Sequence, residues 1–313
     1  MTLRCSERLL NWSTQSSPPI SSFLVEPKST HSTEEAAEQL SLINRDTAAR
    51  FRSTVASLEA VLDPEQINRL AESCVTIADS GWRSFETVNL LLEIAALTDH
   101  PSRLMEVMKA AEQLSGYSFE PAANYLQMVL GAVEVFHSKE VLELEQAGLA
   151  LHSKYQHASG LIGGYFSAAQ FVLARGDSDN LFCWVEVARG MFDLGRDDLL
   201  RFLVLSEQSV NVSWVMARRF QVKSIQGCLV YLDHVDRLND RFTGAQMTLV
   251  ESAMLKHVDA SLADLIDSFE LLHGFDPGEV SLILALGAGI EHANSLAAFN
   301  RNAGKLPLGR QNV

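Results

Sequence analysis

Two Glu-x-x-His motifs, Glu134-Val-Phe-His137 and Glu270-Leu-Leu-His273, are the residues of this chain whose types and spacing could do chemistry. Positions i and i+3 share a helix face. Two such motifs on facing helices, each joined by a further Glu, make the di-iron or di-manganese carboxylate centre of ferritin-like bundles. Glu106 and Glu251 could supply the extra carboxylates, and the product would be a metal-dependent oxidase. That chemistry needs the motif in mid-helix, where four side chains converge in a dry core. Here Ser138-Lys139 follows His137 and Gly274 follows His273, which puts both imidazoles in a last helical turn. A histidine there is accounted for by favourable interaction with the terminal carbonyls. The metal reading therefore stands as the alternative, and no cofactor is expected.

The remaining histidine echoes, His234-Val-Asp236, His257-Val-Asp259 and His152 with His157, have i, i+2 and i, i+5 spacings that do not converge on one helix face, so they read as surface histidines. The sequence has no phosphate-binding P-loop, no Gly-x-Ser-x-Gly and no His-Glu-x-x-His. Gly287-Ala-Gly289 reads as a helix-internal pair that allows close packing.

Stepping from side chains to the elements that must hold them, 313 residues at 47% hydrophobic content suffice for a proper core. Against 39 acidic residues stand 25 basic ones, a net charge of −14. That balance argues against a nucleic-acid partner, whose phosphates need clustered Lys and Arg. Cys5, Cys74, Cys183 and Cys228 form no Cys-x-x-Cys pair, and the pattern points to a reducing compartment. The amino terminus lacks the apolar core of a secretory signal. The longest apolar run, Val280 to Ile290, falls well short of the ~20 residues that cross a bilayer. A cytoplasmic protein without a transmembrane segment is expected.

The periodicity is helical throughout, with no competing strand pattern. Trp184, Val187, Ala188 and Met191 form one apolar stripe, Leu194-Gly195 breaks it, and Leu199, Phe202, Leu203 and Ser206 resume it: a helical hairpin. With Gly81, Gly116 and Gly195 as turns, Leu70, Met105 and Trp184 each lie eleven positions earlier. Leu90-Leu91, Tyr125-Leu126 and Val204-Leu205 fall nine and ten positions later. A further copy fits between them, with helices Leu142 to Leu151 and Leu161 to Leu173 around a longer turn near Lys154 and Tyr155. Spacings of roughly 35 to 41 residues belong to two-helix solenoid repeats, which bury their apolar faces only by stacking.

Asp63-Pro64-Glu65-Gln66, where the register starts, and Asp276-Pro277-Gly278-Glu279 read as helix starts with capping boxes. Gly81, Gly116, Gly176 and Gly195 stand where left-handed terminal residues are expected. After Val210 the register is lost, though Val212 to Cys228, Leu229 to Phe242, Ala245 to Val258, Leu262 to Leu272 and 277 to about 299 look helical. Trp82, Tyr117, Tyr155, Trp184 and Trp214 recur along the repeats. They either pack between modules, which large aromatics favour, or line the groove as partner anchors.

The module Trp184, Gly190, Leu194-Gly195, Leu199, Phe202-Leu203 and Ser206 resembles the helical repeats of the nitric oxide reductase activation and Rubisco activation accessory proteins, over roughly Gln66 to Val210. Those proteins work with MoxR-type AAA+ ATPases. They also carry a von Willebrand factor A domain with an Asp-x-Ser-x-Ser metal site. The nearest approach in this chain, Asp267-Ser-Phe-Glu270, departs from that pattern, so the resemblance implies a shortened relative or partner component and carries over no functional residue.

The resulting expectation is an all-α protein, a two-helix hairpin solenoid with a C-terminal helical cap. Residues 1–33 form a mobile leader, 34–210 the repeat domain, 211–300 a C-terminal helical region packed on the repeats, and 301–313 a mobile tail. Its expected role is non-enzymatic: a protein-binding assembly, activation or maturation accessory, or a scaffold subunit, for a metalloenzyme complex. The concave face of the repeats would meet the partner, a metalloenzyme or AAA+ ATPase.

Overall fold

Helix-start chemistry divides the chain into the elements seen in a computed structural model, which describes residues 32–81, 83–116, 118–155, 157–175, 178–208, 237–238, 241–257, 262–272 and 275–305. Fourteen α-helices and no strand occur among these residues. Ser32 opens α1 (Thr33–Ile43) with a capping box to Glu35. Asn44 ends it and caps α2 (Arg45–Leu58) through the Thr47 N–H. Asp63 and Gln66 cap α3 (Pro64–Ala78) reciprocally, with Pro64 in the first turn, where its missing N–H costs nothing. There follow α4 (Ser84–Leu97), α5 (Pro101–Ser115), α6 (Phe119–Gly131), α7 (Lys139–Lys154), α8 (Ser159–Arg175), α9 (Ser178–Leu194) and α10 (Arg196–Gln208). A short 3-10 turn, Val133–Val135, lies between α6 and α7.

Each of these ten helices packs against its hairpin partner, α1 on α2 through to α9 on α10, and against the next but one, α1 on α3, α2 on α4, and so on to α8 on α10. That pattern is two layers, odd-numbered helices in one and even-numbered in the other. It makes five stacked hairpins: α1/α2, α3/α4, α5/α6, α7/α8 and α9/α10. The sequence register begins at Asp63; the structure adds α1/α2 as a first hairpin in the same packing. The further copy lies where the spacing put it, with α7 and α8 joined at Tyr155 to Ala158.

One core runs the length of the stack, from Ala37 and Leu40 through Leu70, Leu91, Val107 and Leu126 to Trp184 and Phe202. Close approach is bought at Gly148 of α7, where a Cβ would collide with the Phe166 ring of α8.

Glycine at the turns behaves less uniformly than expected. Gly81 has a φ of 157°, which only glycine adopts without strain, whereas Gly116 ends α5 in right-handed helical geometry. Gly195 also lacks a positive φ, and Gly176 lies outside the described residues. A one-residue link such as Gly195 carries the chain straight from α9 into α10, leaving no room for a left-handed cap.

Beyond the stack come α11 (Gly244–Lys256), α12 (Leu262–Glu270), α13 (Pro277–Gly287) and α14 (Ala293–Ala303). Among the described residues their main contacts are α12 with α14, α11 with α13, α13 with α14 and α11 with α12. The single helix expected from 277 to about 299 is two. Gly287 and Gly289 weaken the run, and Lys256 Nζ binds the Ala288 and Ile290 carbonyls at 3.4 and 3.1 Å, holding the chain in the break. Asp276 caps α13 through the Gly278 N–H rather than through a box with Glu279. Gly287 is a packing glycine, since a Cβ there would come within 2.8 Å of Leu296. Residues 209–236, with the helix expected at 212–228 and most of that at 229–242, lie outside the described residues. So do the leader through residue 31 and residues 306–313.

Candidate interaction surface

The α3–α5, α5–α7 and α7–α9 boundaries of the odd-numbered layer are crossed by polar side chains. Arg69 of α3 reaches Glu112 of α5 at 2.5 Å, and Ser73 donates to the same carboxylate. Arg103 of α5 engages both oxygens of Glu145 on α7 and donates from Nε to the Phe136 carbonyl at 3.2 Å. Arg189 of α9 returns to Glu143 of α7 at 3.2 Å. In the even-numbered layer Arg50 of α2 meets Glu93 of α4 at 3.1 Å. These charges are spent on neighbouring repeats and hold the stack in register.

Burial sets the protonation of the groups inside. It pulls the Arg103 guanidinium downward, but the hydrogen bond and charge of Glu145 outweigh it and leave the group more firmly protonated than usual. Tyr125 and Tyr165, wholly enclosed, are held protonated by burial, and burial likewise raises the Cys74 thiol. Such a thiol is a small apolar core group rather than a nucleophile. Cys74 and Cys183 are both buried.

The three Glu-x-x-His residues that are described, Glu134, His137 and Glu270, are not gathered on facing helices. Glu134 lies in the 3-10 turn and His137 follows it, both exposed, in the α6–α7 connection. His137 is thus not at the end of an α-helix; its ring centroid lies 5.0 Å from that of His100, in the α4–α5 connection. Glu270 ends α12, within 3.5 Å of Arg237 and 3.4 Å of Arg241, and His273 lies outside the described residues. Glu106 is paired with Arg103 at 3.0 Å, and Glu251 is buried in α11. Among the described residues no group of three or more His, Cys, Asp or Glu is placed to hold a metal ion.

Two histidines read as surface residues are buried. His152 sits in the last turn of α7 against the backbone of Gln113, and His257 caps α11. Helical spacing alone missed them because an imidazole at a helix end can turn inward onto a neighbouring element, the Gln113 backbone of α5 for His152 and the Ile290 backbone for His257. Burial lowers both pKa values, aided at His257 by Lys256. His157 is exposed, and His234, Asp236 and Asp259 lie outside the described residues.

Of the aromatic anchors, Trp184 is fully enclosed. It packs between Tyr165 and Phe202 and donates its indole N–H to Ser206 Oγ at 2.9 Å, so it offers no surface to a partner. Tyr155 is half-buried, its hydroxyl donating to the Phe192 carbonyl at 2.9 Å. Both join successive hairpins, as the packing alternative held. Trp82, Tyr117 and Trp214 lie outside the described residues.

Apolar side chains exposed on the stack include Val61, Leu97, Val135 and Phe171. A scan against protein-family models and searches of curated proteins and of solved structures give no match. No helix among the described residues is long and apolar enough to cross a membrane.

Proposed function

We propose that this chain is a non-enzymatic protein-binding factor whose stack of hairpins presents an extended surface to a partner protein. The observation that carries the reading is the run α1 to α10, in which, among the described residues, the main helix contacts lie within a hairpin and between neighbouring hairpins. Such quasi-one-dimensional stacks offer long surfaces that serve as protein-binding platforms. The distribution of polar groups supports it: buried charges are consumed in joining repeats, while apolar side chains stay exposed at the connections. A place in the assembly or activation of a metalloenzyme complex, with a metalloenzyme or AAA+ ATPase as partner, follows from the repeat resemblance.

The test is affinity purification of the tagged full chain under native conditions, followed by crosslinking and mass spectrometry. The expected result is a reproducible protein partner with crosslinks on α1 to α10. Recovery of no specific partner would overturn the reading.

A further inference from the structure

We propose that the docking strip is the edge of the stack where the even-numbered helices end, and that its occupant is a basic amphipathic helix of a partner protein. The inference rests on the protein-binding reading and names its site and partner chemistry. Along that edge Val61, Leu97, Val135 and Phe171 are 52, 58, 51 and 41% exposed. They come one per hairpin, separated by 36, 38 and 36 residues. Val61 lies in the α2–α3 connection, Leu97 ends α4, Val135 lies in the α6–α7 connection and Phe171 stands near the end of α8. Single exposed apolar residues are ordinary. Four that recur with the period of the repeat, each within about one turn of the end of an even-numbered helix, form a row. The contact of the His100 and His137 rings shows the α4–α5 and α6–α7 connections touching along it, and Arg103 of α5 donates to the Phe136 carbonyl beside them.

Charge selects the partner. The connections 59–63, 98–100 and 132–138 contain Glu59, Asp63, Asp99 and Glu134 and no Lys or Arg. All four carboxylates are exposed. Two cations that adjoin these connections in the chain are engaged elsewhere, Arg103 with Glu145 and Lys139 over the Phe182 ring at 4.9 Å. Apolar rungs set among carboxylates complement apolar side chains flanked by Lys and Arg.

Spacing selects its form. Neighbouring packed helices lie about 8–10 Å apart, and seven residues of α-helix rise about 10.5 Å. A helix with an apolar residue at every seventh position therefore meets one rung after another. About 20 residues of it, some 30 Å long, span all four.

Fluorescence anisotropy on the full chain tests this with a synthetic helical peptide of about 20 residues, Leu at its heptad positions and Lys on the flanks. Two control peptides carry Glu for Lys, or Ala for Leu. The Lys peptide should bind saturably and the controls roughly tenfold more weakly or worse. The same loss is expected for Leu97→Ser/Val135→Ser/Phe171→Ser and, separately, for Glu59→Lys/Asp99→Lys/Glu134→Lys, whose surface positions spare the fold as checked by circular dichroism. Equal binding of the Lys and Glu peptides, or undiminished binding by either folded variant, would overturn the proposal.

A photocrosslinking residue at position 97 of the full chain identifies the natural occupant. Capture of a basic helical segment of another protein supports the proposal; capture of residues 1–31 of the same chain, or of a second copy, overturns it. A partner from affinity purification that the apolar-to-Ser variant still retains removes this strip while leaving the protein-binding reading intact. Absence of any partner of the unaltered chain removes the reading itself.

Discussion

Arg103 and Glu145 form a bidentate ion pair across the α5–α7 boundary, with side chains only 7 and 8% exposed. Two hairpins are thereby locked through charges that water barely reaches. Removing one partner leaves the other buried and uncompensated, so Arg103→Ala or Glu145→Ala should each cost about 3–5 kcal/mol. Replacing both, as Arg103→Met/Glu145→Leu, should recover much of that loss. Urea unfolding measures it, and single variants within 1 kcal/mol of the parent, in order of magnitude, would contradict the account.

Gly148 and Gly164 should respond in opposite directions to the same added methyl. At Gly148 a Cβ meets the Phe166 ring, and Gly148→Ala should destabilise by about 1–3 kcal/mol through overpacking. Open space surrounds Gly164 in α8, so Gly164→Ala should stabilise by about 0.4–1 kcal/mol by restricting the unfolded chain. Thermal midpoints of the two variants should lie on either side of the parent's.

Ser206 holds the Trp184 indole N–H in the sealed core between α9 and α10. Ser206→Ala strands that donor away from water and should cost about 1–3 kcal/mol. Trp184→Ala should cost about 3–5 kcal/mol. Quenching of Trp184 fluorescence by added iodide should be negligible in the folded protein; ready quenching would place the ring at the surface after all.

His152 gives a pH dependence whose sign follows from its burial. Its folded pKa lies below the ordinary value, so the unfolded chain binds more protons and stability rises with pH. The contribution is complete above the unfolded value of about 6.5 and declines as pH falls from there towards the folded pKa. Relative to the parent, His152→Gln should flatten the loss of stability between pH 7.5 and pH 5, a window spanning that titration by rough estimate. Parallel denaturation curves at the two pH values for parent and variant would refute it.

Much of this architecture is legible in the chain because helix signals are local. Asp63, Pro64 and Gln66 cap α3 through atoms within three residues of one another. The stripe containing Trp184 and Met191 also faces inward as its spacing requires. Residues 34–62 fall inside the expected repeat domain but outside its counted register, because α1 and α2 share no turn glycine with the later copies and are joined by Asn44 alone. The break after Gly287 escaped because an apolar run does not reveal where its backbone carbonyls find other donors. Here they find Lys256, more than thirty residues earlier in the chain.

The sequence by itself determined that the chain is helical, where most helices start, and that hairpins repeat, since capping and 3.6-residue periodicity depend only on near neighbours. Tertiary structure alone decided which polar residues are consumed between repeats and which apolar ones are left outside. Arg103 and Glu145 look like any surface pair until α5 and α7 are laid side by side, and Val61, Leu97 and Val135 look like core until the ends of their helices are seen to face outward. Burial is a property of the packed stack, set by residues some forty positions away, and no local pattern encodes it.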